Sequence, residues 1–200
     1  MNFEVIVITP EENYPKETKV TYNLFKVGLK TLHLRKPNAS IEELRAYIRS
    51  IPKQFHTRIV LHTHYTLAKE FDVKGVHLTE KTRKQPTVLA QLKREKVKIV
   101  STSFHTYKDV LKSRRGYAYV FLSPVFDSIS KRGYKSNFTS EYLTVFLSKT
   151  KQRVIALGGI NDENIKALKQ LNFSSAAALG YIWENENPVE RYKKLTSKIK

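Results

Sequence analysis

Residues 119–131 read Tyr-Val-Phe-Leu-Ser-Pro-Val-Phe-Asp-Ser-Ile-Ser-Lys, an apolar run of four that empties into a hydroxyl-rich loop ending in Lys131. The run has the length and composition of a buried strand. Ser128, Ser130 and Lys131 then place two hydroxyls and an ammonium within four residues. A second apolar run at 154–157 opens into Gly158-Gly159. Strand ends that carry hydroxyls, a lysine and bare backbone N–H groups suit a phosphorylated small molecule.

Outward from this stretch, strand-like and helix-like segments alternate along the whole chain. Strands are predicted at 3–8, 31–35, 58–63, 75–78, 98–103, 117–123, 153–157 and 174–182. Helical periods and start signals lie between them. Ser40 caps a helix at 41–51 with Glu42 and Glu43 in its first turn, and Asn161 caps one at 165–171. Further amphipathic stretches span 88–93, 107–113, 140–147 and 189–198. Eight such pairs predict parallel strands joined by crossover helices. An open doubly wound sheet would put a Gly-rich fingerprint after an early strand, and here the first strand ends in Thr9-Pro10-Glu11-Glu12. The expectation is a compact (β/α)8 TIM barrel, one domain over residues 1–200.

The bulk composition is consistent with this. The chain has 200 residues with 40% hydrophobic content, enough for one sizeable core. It contains no cysteine, which rules out disulfides, thiolate metal sites and cysteine nucleophiles. Met1 leads directly into the first strand-like segment without a basic and apolar leader, and no apolar run approaches a membrane span. A cytoplasmic protein without membrane association is expected, its oligomeric state left open. Lys and Arg number 36 against 18 Asp and Glu, a field that steers anionic ligands inward. The basic residues are spread over nearly every predicted helix, so no specific nucleic-acid surface is expected.

Barrels carry their sites at the C-terminal strand ends, and alternation sorts the side chains there. With Leu32 and Leu34 outward, His33 and Arg35 point inward; with Ile59 and Leu61 outward, Val60, His62 and His64 do. His77, Ser101, Ser103, Phe121 and Ser123 share that inward face. An arginine inside the mouth needs a bound anion or a structural partner, Glu12 or Glu80 being the nearest in sequence register. His62 and His64, with His33 and His77 beside them, have the spacing of metal ligands, which would suit a metal-dependent hydrolase, although no inward carboxylate accompanies them. Gly158, Gly159, Gly180 and Tyr181 lie at the ends of strands seven and eight, where barrels commonly hold phosphate.

These residues resemble the thiamine phosphate synthase/TenI family along almost the whole chain. Residues 32–36, Leu-His-Leu-Arg-Lys, resemble the family's Q-x-R-x-K run, with Arg35 on the arginine and His33 on the glutamine. Gly75-Val76-His77-Leu78 matches its G-x-H-L signature, and Ser101-Thr102-Ser103-Phe104-His105 resembles G-x-S-x-H. Residues 123–131 lie on its G-P-x-F-P-T-x-T-K loop, 156–160 on I-G-G-I and 178–182 on V-V-S-A-I, with Gly180 where serine is usual. The resemblance implies an enzyme that joins an aminopyrimidine diphosphate to a thiazole phosphate and releases diphosphate. Arg35, Ser128, Ser130 and Lys131 would hold the diphosphate, with Arg35 and Lys131 catalytic. His33, His62 and Ser103 would meet the pyrimidine, and Gly158, Gly159, Gly180 and Tyr181 the thiazole phosphate.

The resemblance also implies Mg²⁺, but the positions of the two metal-binding aspartates hold Thr63 and, near the second, Thr82. No metal ligand is therefore assigned in this chain. The lysine after Arg35 is displaced by Pro37, leaving Lys36 one place early. A TenI-like thiazole isomerase or a ligand-binding relative without synthase activity is the alternative, with Pro124 standing where the isomerase histidine would be.

Overall fold

The computed structural model of the chain describes residues 3–113, 116–127, 138–184 and 186–199. Eight parallel strands close into a barrel in chain order: β1 (Val5–Ile8), β2 (Leu32–Leu34), β3 (Ile59–Leu61), β4 (Gly75–Leu78), β5 (Ile99–Phe104), β6 (Tyr119–Leu122), β7 (Val154–Leu157) and β8 (Ser175–Ala178). β1 closes the ring by pairing with β8, Val5 opposite Ala176 and Val7 opposite Ala178. The helices are α1 (Glu17–Lys26), α2 (Ile41–Arg49), α3 (Leu67–Glu70), α4 (Glu80–Arg83), α5 (Pro86–Arg94), α6 (Tyr107–Lys112), α7 (Ser140–Lys149), α8 (Ile165–Gln170), α9 (Gly180–Trp183) and α10 (Pro188–Ser197), with a 3₁₀ turn at Lys53–Arg58. Among the described residues no helix is long and apolar enough to cross a membrane.

Period-two alternation accounts for the two cores. Leu32, Leu34, Ile59, Leu61, Val76 and Leu78 leave the barrel and pack against the helix faces carrying Leu24, Leu44, Ile48 and Leu195. Each such buried side chain contributes about 1.5–3 kcal/mol. Ile6, Ile8, Val60, Val100, Tyr119, Phe121, Ile155 and Ala177 point inward and fill the barrel. Ser40 starts α2 through a capping box: its hydroxyl accepts from Glu43 N at 3.2 Å, and Glu43 Oε2 accepts from Ser40 N at 2.7 Å.

Three local expectations need correction. The run predicted as a strand over 174–182 stops at Ala178; Gly180–Trp183 turns into α9, whose Trp183 donates its indole N–H to the Ile8 carbonyl. Helix α8 begins at Ile165 as expected, but its N-cap position is Asn164 and not Asn161. Asn161 instead closes the preceding turn, its Oδ1 accepting from the backbone of Glu163 and Asn164. His64 does not continue the inward face, because a left-handed φ of 48° takes it out of strand geometry and its Nε2 meets the Ala39 carbonyl at 2.8 Å.

The loop from β1 to α1 is fixed by a buried ion pair. Lys36 Nζ donates to Glu17 Oε2 at 2.7 Å and to the Glu12 carbonyl at 2.8 Å, with both charged side chains only 6% exposed. Glu17 Oε2 also accepts from Tyr14 N. Removing one partner of such a pair strands the other charge in a dry environment. Lys36→Ala is therefore expected to lower the unfolding free energy by about 3–5 kcal/mol. Urea denaturation checks this, and a loss below about 1 kcal/mol would contradict the buried-pair assignment.

Candidate functional site

The strand ends surround a cavity of about 730 Å³, within the range of small-molecule sites. One rim is Arg35, from the end of β2. Its Nη1 meets Glu11 Oε1 at 2.6 Å, so the partner is Glu11 and neither Glu12 nor Glu80. Glu80 is instead paired with Lys84, which holds its carboxyl below the usual range. Thr9 sets the backbone at this rim, accepting from Arg35 N at 2.8 Å and donating to the Arg35 carbonyl.

The opposite rim is built from the ends of β7 and β8. Gly158, Gly159, Gly180 and Tyr181 all line the cavity. Gly158 and Gly159 have φ of 97° and 66°. A Cβ on Gly158 would stand 2.8 Å from Pro124, and one on Gly159 would stand 2.7 Å from the Phe126 side chain. Both glycines are thus required for the loop after β6 to cross close to β7. Val125 N and Phe126 N donate to the carbonyls of Leu157 and Gly158, fastening that loop. Ser128, Ser130 and Lys131, expected at the diphosphate, lie outside the described residues.

Between the rims the barrel floor is polar. His62, His77 and Ser103 line the cavity. His62 Nε2 and His33 Nδ1 share a hydrogen bond at 2.9 Å, and His33 Nε2 lies 2.6 Å from the Tyr119 hydroxyl. His33, expected at the pyrimidine, is fully buried and off the cavity wall; it reaches the cavity only through His62. His77 is held by Ser101 Oγ on Nδ1 at 2.8 Å and by Ser103 Oγ on Nε2 at 3.1 Å. The rings of His62 and His77 stack at 4.2 Å. At the edge, His105 donates from Nδ1 to the Ser123 carbonyl at 2.9 Å, orienting the loop.

Burial keeps these imidazoles neutral. His33 and His62 are held well below the ordinary histidine value by desolvation first, with the neighbouring histidines adding repulsion. His77 falls to about 3, through burial and then the charges of Arg35 and Arg83. Tyr119 is pushed above its normal range by burial and stays protonated. The sequence marks His77 as an inward residue of the mouth but does not mark Tyr119 as a site residue. Tyr119 is hidden in an apolar run, and the inward position it shares with Phe121 is the one signal that marks it.

Neither metal implied earlier is matched by the donors. The nitrogens of His33, His62 and His77 lie within 4.8 Å of one another. Yet both nitrogens of His33 and of His77 already have partners inside the floor, and His64 is turned away. This does not fit the hydrolytic metal site. Mg²⁺ requires hard, usually anionic oxygens. At the two family positions Thr63 Oγ1 is buried with no partner among the described residues, and Thr82 donates to the Thr79 carbonyl. Those donors do not fit Mg²⁺.

Comparison with known proteins agrees with this geometry. A family model described as thiamine monophosphate synthase matches residues 5–182. The chain is 28% identical over 177 residues to a thiamine-phosphate synthase of Bacteroides thetaiotaomicron, covering 84% of each. It is 25% identical over 173 residues to one of Clostridium tetani, covering 84% of this chain and 81% of that one. The crystal structure of thiamine phosphate pyrophosphorylase from Bacteroides thetaiotaomicron superposes with a TM-score of 0.82 at 30% identity, covering 99% and 97% of the two chains.

The neutral floor has a consequence for stability. The three histidines regain their ordinary affinity for protons, near 6.5, on unfolding, so below that pH the unfolded chain binds more protons. Stability should be full above pH 6.5 and fall as pH drops toward 5, by up to about 1.4 kcal/mol per histidine per unit. Unfolding curves across that window check this, and a flat profile would contradict the neutral buried cluster.

Proposed function

The chain belongs to the thiamine monophosphate synthase family, and on that footing we propose that it joins an aminopyrimidine diphosphate to a thiazole phosphate in this cavity, giving thiamine phosphate and diphosphate. It is a transferase of the thiamine-phosphate diphosphorylase type. The observation that carries the reading is one cavity with a cationic rim at Arg35, a glycine rim at Gly158-Gly159 and Gly180-Tyr181, and a neutral polar floor between. A phosphate on the glycine rim and a diphosphate at Arg35 would leave the two rings to meet over His62 and Ser103. The cytoplasm, where phosphorylated precursors of this kind are made, is part of the proposal.

As the C–O bond to diphosphate breaks, its electron pair leaves with the diphosphate. Arg35 and Lys131, with the hydroxyls of Ser128 and Ser130, are assigned to that growing charge. Glu11 is paired with Arg35, and an incoming anion would take the place of that carboxylate. His62 and Ser103 are assigned to the pyrimidine, with His33 acting on it through His62. The Mg²⁺ of the family is given no protein ligand here.

A turnover assay with both precursors, with and without Mg²⁺, tests the proposal. Thiamine phosphate should form, and Arg35→Ala and Lys131→Ala should each reduce kcat/KM by about 100-fold. Binding of thiazole phosphate without product would remove synthesis and leave a binding protein on the same fold.

A further inference from the structure

Three side chains, from β2, the end of β3 and β6, form a hydrogen-bonded group of their own, and one end of it meets the cavity. The Tyr119 hydroxyl lies 2.6 Å from His33 Nε2, and His33 Nδ1 lies 2.9 Å from His62 Nε2. Tyr119 and His33 are buried, and of the three only His62 lines the cavity. His62 Nδ1 has no hydrogen bond among the described residues and is not among their sealed, unpartnered atoms. It is therefore the atom that this group offers to a ligand.

We propose that the Tyr119 hydroxyl, acting through His33, fixes the proton of His62 on Nδ1, so that the floor presents an N–H donor and selects a ring nitrogen of the pyrimidine. The inference rests on the pyrimidine reading of the cavity. Tyr119 does not touch the ligand; it is a positioning residue.

The direction of the group follows from its lengths. An N–H donor rarely approaches oxygen closer than about 2.7 Å, whereas a hydroxyl donor reaches about 2.5 Å. At 2.6 Å the Tyr119–His33 contact is of the hydroxyl-donor kind. A phenol is also a stronger acid than the N–H of a neutral imidazole, which favours the same direction. His33 Nε2 therefore accepts. A neutral imidazole has one N–H and one lone pair, so the proton of His33 is on Nδ1 and is donated to His62 Nε2. His62 accepts there and carries its own proton on Nδ1. Burial keeps both rings neutral and Tyr119 protonated, which preserves the order.

The consequence concerns specificity. The His62 ring stacks on His77 at 4.2 Å, so the direction of its N–H is held as well as its identity. A fixed donor suits the lone pair of a pyrimidine ring nitrogen. A ligand with C–H at that place leaves the N–H unpaired in a poorly hydrated floor. Because the donor is neutral, it orients the ring without setting a cation beside the carbon that loses its electron pair to diphosphate.

¹⁵N-histidine NMR spectra of the full chain above pH 7 read the tautomers directly. His33 and His62 should both be protonated on Nδ1 before any ligand is added. Calorimetry then compares the aminopyrimidine diphosphate with two counterparts, each with one ring nitrogen replaced by C–H. One of the two should bind about 10- to 100-fold more weakly than the parent. In Tyr119→Phe either direction of the His33–His62 bond leaves His33 Nε2 unmet, so neither is held. A second His62 tautomer should appear, and aminopyrimidine diphosphate affinity should fall by about two- to tenfold while thiazole phosphate affinity stays constant. A wild-type His62 protonated on Nε2, or three pyrimidines that bind alike, would overturn the proposal alone. So would a single Nδ1–H tautomer of His62 that persists in Tyr119→Phe. Failure of every pyrimidine to bind, with thiazole phosphate still bound, would overturn the pyrimidine reading and the proposal together. Should Tyr119→Phe not fold, the wild-type tautomers and the two counterparts decide.

Discussion

Three imidazoles on adjacent strands share the dry interior of this barrel, and none can carry a proton without placing a cation beside the other two. That constraint organises the floor. Each ring must remain neutral, and Tyr119, Ser101 and Ser103 on β5 and β6 satisfy the nitrogens of His33 and His77 that no other histidine meets. The aliphatic layer beneath, with Ile6, Val60, Val100 and Ile155, excludes the water that would otherwise compete for these bonds. A neutral, preorganised surface then faces the cavity between two rims suited to anions.

Much of this arrangement is legible in the sequence because a strand's period of two is a strong constraint. Leu32 and Leu34 flank His33, and Ile59 and Leu61 precede His62; the apolar residues identify the outer face and leave the histidines no other direction. Alternation fails where the strand ends. His64 is two residues beyond His62 and keeps the right parity, but its backbone has already turned to the left-handed region. The segment after Ala178 reads as continuing strand by composition, whereas the chain turns at Leu179 into α9 and sends Trp183 back to β1.

The partners of charges are harder to foresee, since they depend on loops. Arg35 takes Glu11 and not its neighbour Glu12, because Lys36 draws the Glu12 carbonyl and Glu17 together and sets the course of the loop. Lys36 itself lies one place away from the family's lysine, and that single step turns it from the mouth to the α1 side of the strand. There it serves the scaffold, through Glu17 and the Glu12 carbonyl.

The net charge of +18 acts at longer range, drawing anions toward a mouth where Glu11 and Glu80 are paired with Arg35 and Lys84. At close range, selection passes to the floor and the glycine rim. A crystal structure of the chain with the aminopyrimidine diphosphate and thiazole phosphate bound is the most direct measurement of this division of labour. The pyrimidine edge should lie within hydrogen-bonding distance of His62 Nδ1 and Ser103 Oγ, with the thiazole phosphate at Gly158-Gly159 and Gly180-Tyr181 and Arg35 released from Glu11 onto the diphosphate. A pyrimidine bound away from the histidine floor, or an Arg35–Glu11 pair still intact beside a bound diphosphate, would contradict it.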